Sequence, residues 1–234
     1  MIPLWLKIAY TGFLAMLVPV YWYHYGPVNF LFLCDVALFV TFLALWAESS
    51  LLASSQLLVI LLPQTIWMLD FFTYLLVRVP LTGVTAYMFE ADRPLYLRAL
   101  SLFHIWLPIL LVWMTCRLGY DRRAPLLQLA ILAIVLPLSY MLSLPPDQER
   151  GQDNPWQARN VNYVYGFPEE KRQTIMPAWL WLVCLIGFHV GCVNLPTHAV
   201  CTWLCQPPGS KLTSPSVNRT LDSSVESAKR KGNL

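Results

Sequence analysis

The stretch LLASSQLLVILLPQTIWMLDFFTYLLV, Leu51 to Val77, decides the fold. Asp70 is its only formally charged residue. Coiled as a helix at 1.5 Å per residue it reaches about 40 Å, more than the roughly 30 Å hydrocarbon core of a bilayer. It is apolar on every face, so no water-facing side can be drawn on it. Pro63 in its interior predicts a kink. Glu48, Ser49 and Ser50 form a tight turn before it, and Arg78 follows it.

Five more stretches of the same kind lie around this one. They predict helices over about Pro3–Tyr23, Val28–Ala47, Pro94–Cys116, Ala124–Leu144 and Ile175–Leu204. Gly26 and Pro27 separate the first two, and Pro145 with Pro146 stops the fifth. The fold class is therefore all-α, a polytopic transmembrane bundle of six helices occupying residues 1–205. Residues 206–234, rich in Ser, Pro, Lys and Arg, read as a disordered basic tail. The first apolar run ends in Tyr21, Trp22, Tyr23 and His24 with no small-residue cleavage pattern, and is expected to be a retained helix.

Composition agrees. The chain is 57% apolar and 12% charged, whereas a soluble domain carries about 25% charged residues. Its 10 Trp and 11 Tyr suit the two membrane interfaces. A net charge of +3, with no basic cluster before the tail, excludes nucleic acid as a natural partner. The expected partners are membrane lipids, and the oligomeric state is open. Six cysteines lie in or beside apolar segments without CxxC spacing, so no disulfide framework is expected. His198, Cys201 and Cys205 share one helical face, but one helix offers too few ligands. No metal and no cofactor are expected.

Lys and Arg set the orientation. The loop after the fourth helix holds Arg117, Arg122 and Arg123 against Asp121, and the tail is also basic. Both lie on one side of a six-helix chain, which places both termini in the cytoplasm. The expected location is the plasma membrane or a bacterial inner membrane. The sequon Asn218, Arg219, Thr220 would then face the cytoplasm.

Orientation turns positions into depths. Cys34 falls about 10 Å below the outer end of its helix, Asp70 about 12 Å and His104 about 15 Å. A thiol, a carboxylate and an imidazole from three helices thus share one layer of the outer half. Ionisable groups are costly in lipid, so Asp70 and Asp35 should turn inward, and His104 less strongly so. In chemical terms Cys34 is the candidate nucleophile, His104 its base, and Asp70 the group that orients the imidazole, with Asp35 as another choice. Asp35 lies about 100° around the helix from Cys34, so the two should not point directly at one partner. Such a set suits acyl transfer or hydrolysis through a thioester. The outer-loop cluster Asn160-Val161-Asn162-Tyr163-Val164-Tyr165-Gly166 reads either as interfacial turn residues or as a lid, with Asn162 and Tyr163 contacting substrate.

The stretch Leu31-Phe32-Leu33-Cys34-Asp35, then Phe103-His104, then Asn162-Tyr163-Val164-Tyr165 followed by Pro168, resembles in order and spacing the YwaF-like integral membrane proteins. The resemblance implies a six-helix bundle with a site open to the outer side. It also implies kinship with eukaryotic thiol-dependent phospholipid acyltransferases. The family's histidine two residues before the cysteine is Phe32 here, and its Thr-Pro-Asp has only a loose echo in Pro63, Thr65 and Asp70. Two other readings stay open: a small-molecule transporter, and a structural or assembly protein whose polar groups join helices. The inner half looks too dry for a transport path, with only Gln56, Gln64 and Lys7 to supply one.

Overall fold

The computed structural model describes residues 1–151, 156–167 and 171–205. The basic tail, the sequon and Pro168 lie outside the described residues. Helix α1 is Leu4–Tyr25, α2 Leu33–Ala47, α3 Ser50–Val77, α4 Leu95–Ser101, α5 Phe103–Leu118, α6 Ala124–Leu142, α7 Ala178–Phe188 and α8 Leu195–Leu204. Among the described residues there is no strand, only a bridge between Leu144 and Arg159. Five spans are long and apolar enough to cross a membrane: α1, α3, α4 with α5, α6, and α7 through α8. The sixth, α2, has 15 residues and reaches about 22 Å.

Local chemistry explains the short α2. Gly26 sits at φ +78, a conformation glycine adopts without penalty, and ends α1. Pro27 then starts a 3-10 turn, Pro27–Leu31, and Phe32 is extended before α2 begins. The helix expected from Val28 therefore starts five residues later, at Leu33. Ser49 caps α3 by accepting a hydrogen bond from Leu52 N–H at 3.3 Å. Arg78 in the left-handed region closes α3, which continues as helix through Pro63.

Two further spans are interrupted where continuous helices were expected. At Leu102 the fourth is divided: Ile105 N–H donates to Leu102 O rather than one residue further back. The Ser101 carbonyl is thereby left for a side chain. In the last span a π turn, His189–Asn194, joins α7 to α8. Helix α3 is the centre of the bundle. It packs on α2, α5, α6, α8 and the π turn, and 56% of its apolar window is buried against 17% for the last span.

The two ends of the bundle differ. One carries the N-terminus and the tight turns at 48–49 and 119–123. Lys7 Nζ and the N-terminal amine meet Glu48 there, at 2.9 and 3.8 Å. The other carries the long connection 78–94 and the described parts of 143–177, and the candidate site lies among them.

Candidate functional site

A cavity of about 290 Å³ opens at the long-loop end. Cys34 and Asp35 of α2, His104 of α5 and Ser101 of α4 line it, together with Tyr21, Tyr25 and Trp67. The loops add Tyr87, Arg93, Arg159 and Tyr163. The thiol and the imidazole thus line one cavity, although Cys34 stands at the very start of α2 and not about 10 Å along a helix from Pro27. Cys34 and Asp35 reach it together although they are successive residues. Both sit at the first turn of α2, where the chain comes out of a 3-10 turn.

His104 is held on three sides. Its Nδ1 lies 2.7 Å from Ser101 O, so Nδ1–H donates and Nε2 keeps its lone pair. Its ring stacks on Trp67 at 4.8 Å and on Phe103 at 4.1 Å between centroids. The break at Leu102 makes this possible by freeing the Ser101 carbonyl. Among the described residues no hydrogen bond joins Cys34 to the imidazole.

Asp70 has a different place from the one its depth suggested. It is fully buried, but its carboxylate turns to the loop above α3. Oδ1 accepts from Thr82 N–H at 2.6 Å and Gly83 N–H at 3.0 Å, and Oδ2 from Thr85 N–H at 3.0 Å and Thr85 Oγ1 at 2.6 Å. The orienting contact on His104 is the Ser101 carbonyl, not Asp70. Asp70 acts one step away. It fixes the loop whose next turn, Ala86–Phe89, brings Tyr87 to the cavity, where the phenol accepts from Trp67 Nε1 at 3.1 Å.

Asn162 is also a strut. Its Oδ1 accepts from Leu33 N–H at 2.9 Å, and Nδ2 donates to Leu31 O at 2.7 Å and Ser139 Oγ at 3.0 Å. Both amide protons are used, so no donor is left for an oxyanion. It pins the start of α2, and hence Cys34, to α6. Asn160, Asn162 and Tyr163 have φ of +47, +57 and +60. Asn tolerates that region, whereas a bulky Tyr is an outlier there. Tyr163 does line the cavity, and its carbonyl accepts from Trp181 Nε1 at 3.0 Å. Trp156 lines it as well, while Trp179 is exposed.

Arg93 is the cation the sequence reading passed over. It donates to Glu90 and to Tyr25 Oη, and stands over the Tyr25 and Tyr87 rings at 5.7 and 5.3 Å. Burial works against its charge, but Tyr25 and Glu90 outweigh burial and hold the guanidinium above its ordinary value. Among the described residues, no group of three or more His, Cys, Asp or Glu is arranged to hold a metal. His198 is paired with the Tyr120 phenol at 2.6 Å.

The bundle and its cavity define a class: an apolar helical bundle, compatible with a multi-pass membrane protein, with a polar, aromatic-walled cavity at one end. Comparison with protein families, with curated proteins and with solved structures finds no match.

Proposed function

We propose that this membrane protein acts on a lipid ester at the cavity, with Cys34 as the acyl-accepting nucleophile and His104 as its base. One observation carries the reading: a thiol and an imidazole from different helices line the same cavity, and Nε2 is the ring nitrogen left over for chemistry. The resemblance of residues 31–35, 103–104 and 162–165 to YwaF-like proteins points the same way. Arginines concentrate in the short turn at the opposite end, so the cavity would face the outer leaflet.

His104 Nε2 takes the Cys34 proton, the thiolate attacks the ester carbonyl, and the tetrahedral oxyanion collapses to a thioester. The lysolipid alkoxide leaves with the proton returned by His104. An alcohol acceptor or water then attacks the thioester and restores the thiol. Phe32 stands where the resembled family has a second histidine, so His104 serves alone. Substrate binding would bring the thiol and imidazole into hydrogen-bond reach.

The test uses purified protein in liposomes containing a phospholipid with a fluorescent acyl chain. The expected result is a hydroxylamine-labile acyl group on Cys34 by mass spectrometry, absent in Cys34→Ser. Lack of both the Cys34 adduct and released lysolipid would overturn the reading. A transporter is the second reading, favoured by one observation. The half of the bundle away from the cavity is not dry, because Ser54, Ser55, Gln56, Thr115 and Gln128 are all fully buried there. Solute flux into the same liposomes separates the two.

A further inference from the structure

We propose that the cavity takes a zwitterion, with its ammonium end on the Asp35 carboxylate at the floor and its oxyanion end on Arg159 at the loop rim. This rests on the reading that the cavity is the working site, and it names what the site recognises.

Two buried atoms of opposite hydrogen-bond character carry the inference. Asp35 is 2% exposed, and its Oδ2 accepts from Asn29 Nδ2 at 2.8 Å. Its Oδ1 is sealed from solvent and has no protein partner. A buried carboxyl oxygen without a partner is an exception to the rule that buried polar groups are hydrogen-bonded, and it calls for a donor from a ligand. Arg159 lines the same cavity, and its Nε–H is likewise buried and, among the described residues, without a partner. Among the described residues its side chain makes one hydrogen bond, a long one from Nη1 to Pro146 O at 3.4 Å. Among the described residues Asp35 forms no ion pair with any Lys or Arg. One cavity therefore offers an unmet acceptor and an unmet donor that do not meet each other.

The walls select the cation. Tyr21, Tyr25, Trp67, Tyr87 and Phe103 line the cavity with Asp35, and an aromatic lining favours an organic cation. A metal ion fits poorly. Calcium takes 6 to 8 oxygen ligands by rule of thumb, roughly, and this floor has one carboxylate whose other oxygen is already engaged by an amide donor. The volume of about 290 Å³ suits a small solute or a head group rather than a whole lipid.

The experiment uses the full chain in nanodiscs of phosphatidylglycerol, with Trp67 and Trp156 as fluorescent reporters at the cavity. Phosphoethanolamine is titrated against its two halves, ethanolamine and inorganic phosphate. The expected result is that the whole binds at least about tenfold tighter than either half, as one charge-assisted hydrogen bond implies. Asp35→Asn should remove the advantage over phosphate, and Arg159→Gln the advantage over ethanolamine. Equal binding of whole and halves would overturn the proposal. So would unchanged binding in both variants. Where Asp35→Asn does not fold, the whole-against-halves comparison on the unaltered chain still decides. Repetition in phosphatidylethanolamine nanodiscs identifies the source. A lipid head group in the cavity abolishes the response to free phosphoethanolamine, and a soluble ligand leaves it intact. Titration of Cys34→Ala protein separates the two claims. Binding there without acylation in the unaltered chain defeats the thioester chemistry alone, and absence of binding defeats the zwitterion.

Discussion

Replacing Asp70 by Asn tests the role of a carboxylate with no exposed surface in the bundle. The Asp70 oxygens accept four hydrogen bonds, from the Thr82, Gly83 and Thr85 amides and the Thr85 hydroxyl. An amide has one acceptor oxygen, so one side must lose its acceptor. With the carbonyl facing Thr85, the Thr82 and Gly83 N–H groups meet an NH2 instead, and water reaches them in part. With the carbonyl facing Thr82 and Gly83, the buried Thr85 N–H is orphaned, and only the hydroxyl can turn to accept. Each orphaned donor costs about 1–3 kcal/mol. The loop should therefore open more easily by that amount, and hydrogen exchange at Thr82, Gly83 and Thr85 should speed up about 5- to 150-fold. Pulsed exchange read by mass spectrometry on the peptide covering residues 78–93 measures it, with the α3 interior as the unchanged control. Unaltered exchange in that peptide would refute the assignment of Asp70 as the loop clamp. A collapse of Cys34 reactivity with unaltered loop exchange would put Asp70 in the reaction, against its hydrogen bonds.

Asn162→Leu should destabilise the bundle by about 2–5 kcal/mol, because Leu33 N–H, Leu31 O and Ser139 Oγ lose their partner together. Thermal unfolding in detergent checks this, and an unshifted midpoint would refute it. His104→Ala should slow labelling of Cys34 by a lipid-like maleimide at neutral pH by about tenfold or more, if the imidazole activates the thiol. Gln56 Nε2 donates weakly to Gln128 Oε1 at 3.4 Å, leaving Gln56 Oε1 and Gln128 Nε2 without partners. Either single change to Leu should therefore destabilise, while the double change should be near neutral or stabilising, as a double-mutant cycle reads. Glu48 is held below its ordinary value of 4.5, first by the Lys7 hydrogen bond. Its contribution is present above pH 4.5 and fades as pH falls through its lower folded value. The unfolding midpoints of the natural chain and Glu48→Gln should therefore converge in acid, and a constant gap down to pH 2 would refute the linkage.

The sequence alone determined the six apolar stretches, their order and most of their ends. Length and uniform apolarity are one-dimensional properties that a bilayer reads directly. It pointed to Cys34 and His104 as neighbours by counting depth along unbroken helices, whereas α2 begins only at Leu33 and the fourth span breaks at Leu102. It could not say which way a side chain turns. A helix wrapped in lipid and in other apolar helices has no polar face to mark its outside, so Asp70 looked like a partner for His104 when it faces the loop. The breaks at Phe32 and Leu102 were equally hidden. No glycine or proline marks either residue, yet the first starts α2 where Cys34 and Asp35 both line the cavity, and the second leaves the Ser101 carbonyl to His104. Asn162 holds Leu31 and Leu33 from 131 and 129 positions away, and Arg159 and Asp35 share a cavity across a similar gap. Contacts of that range depend on how the helices pack and the loops fold back over them, which only the tertiary structure decides.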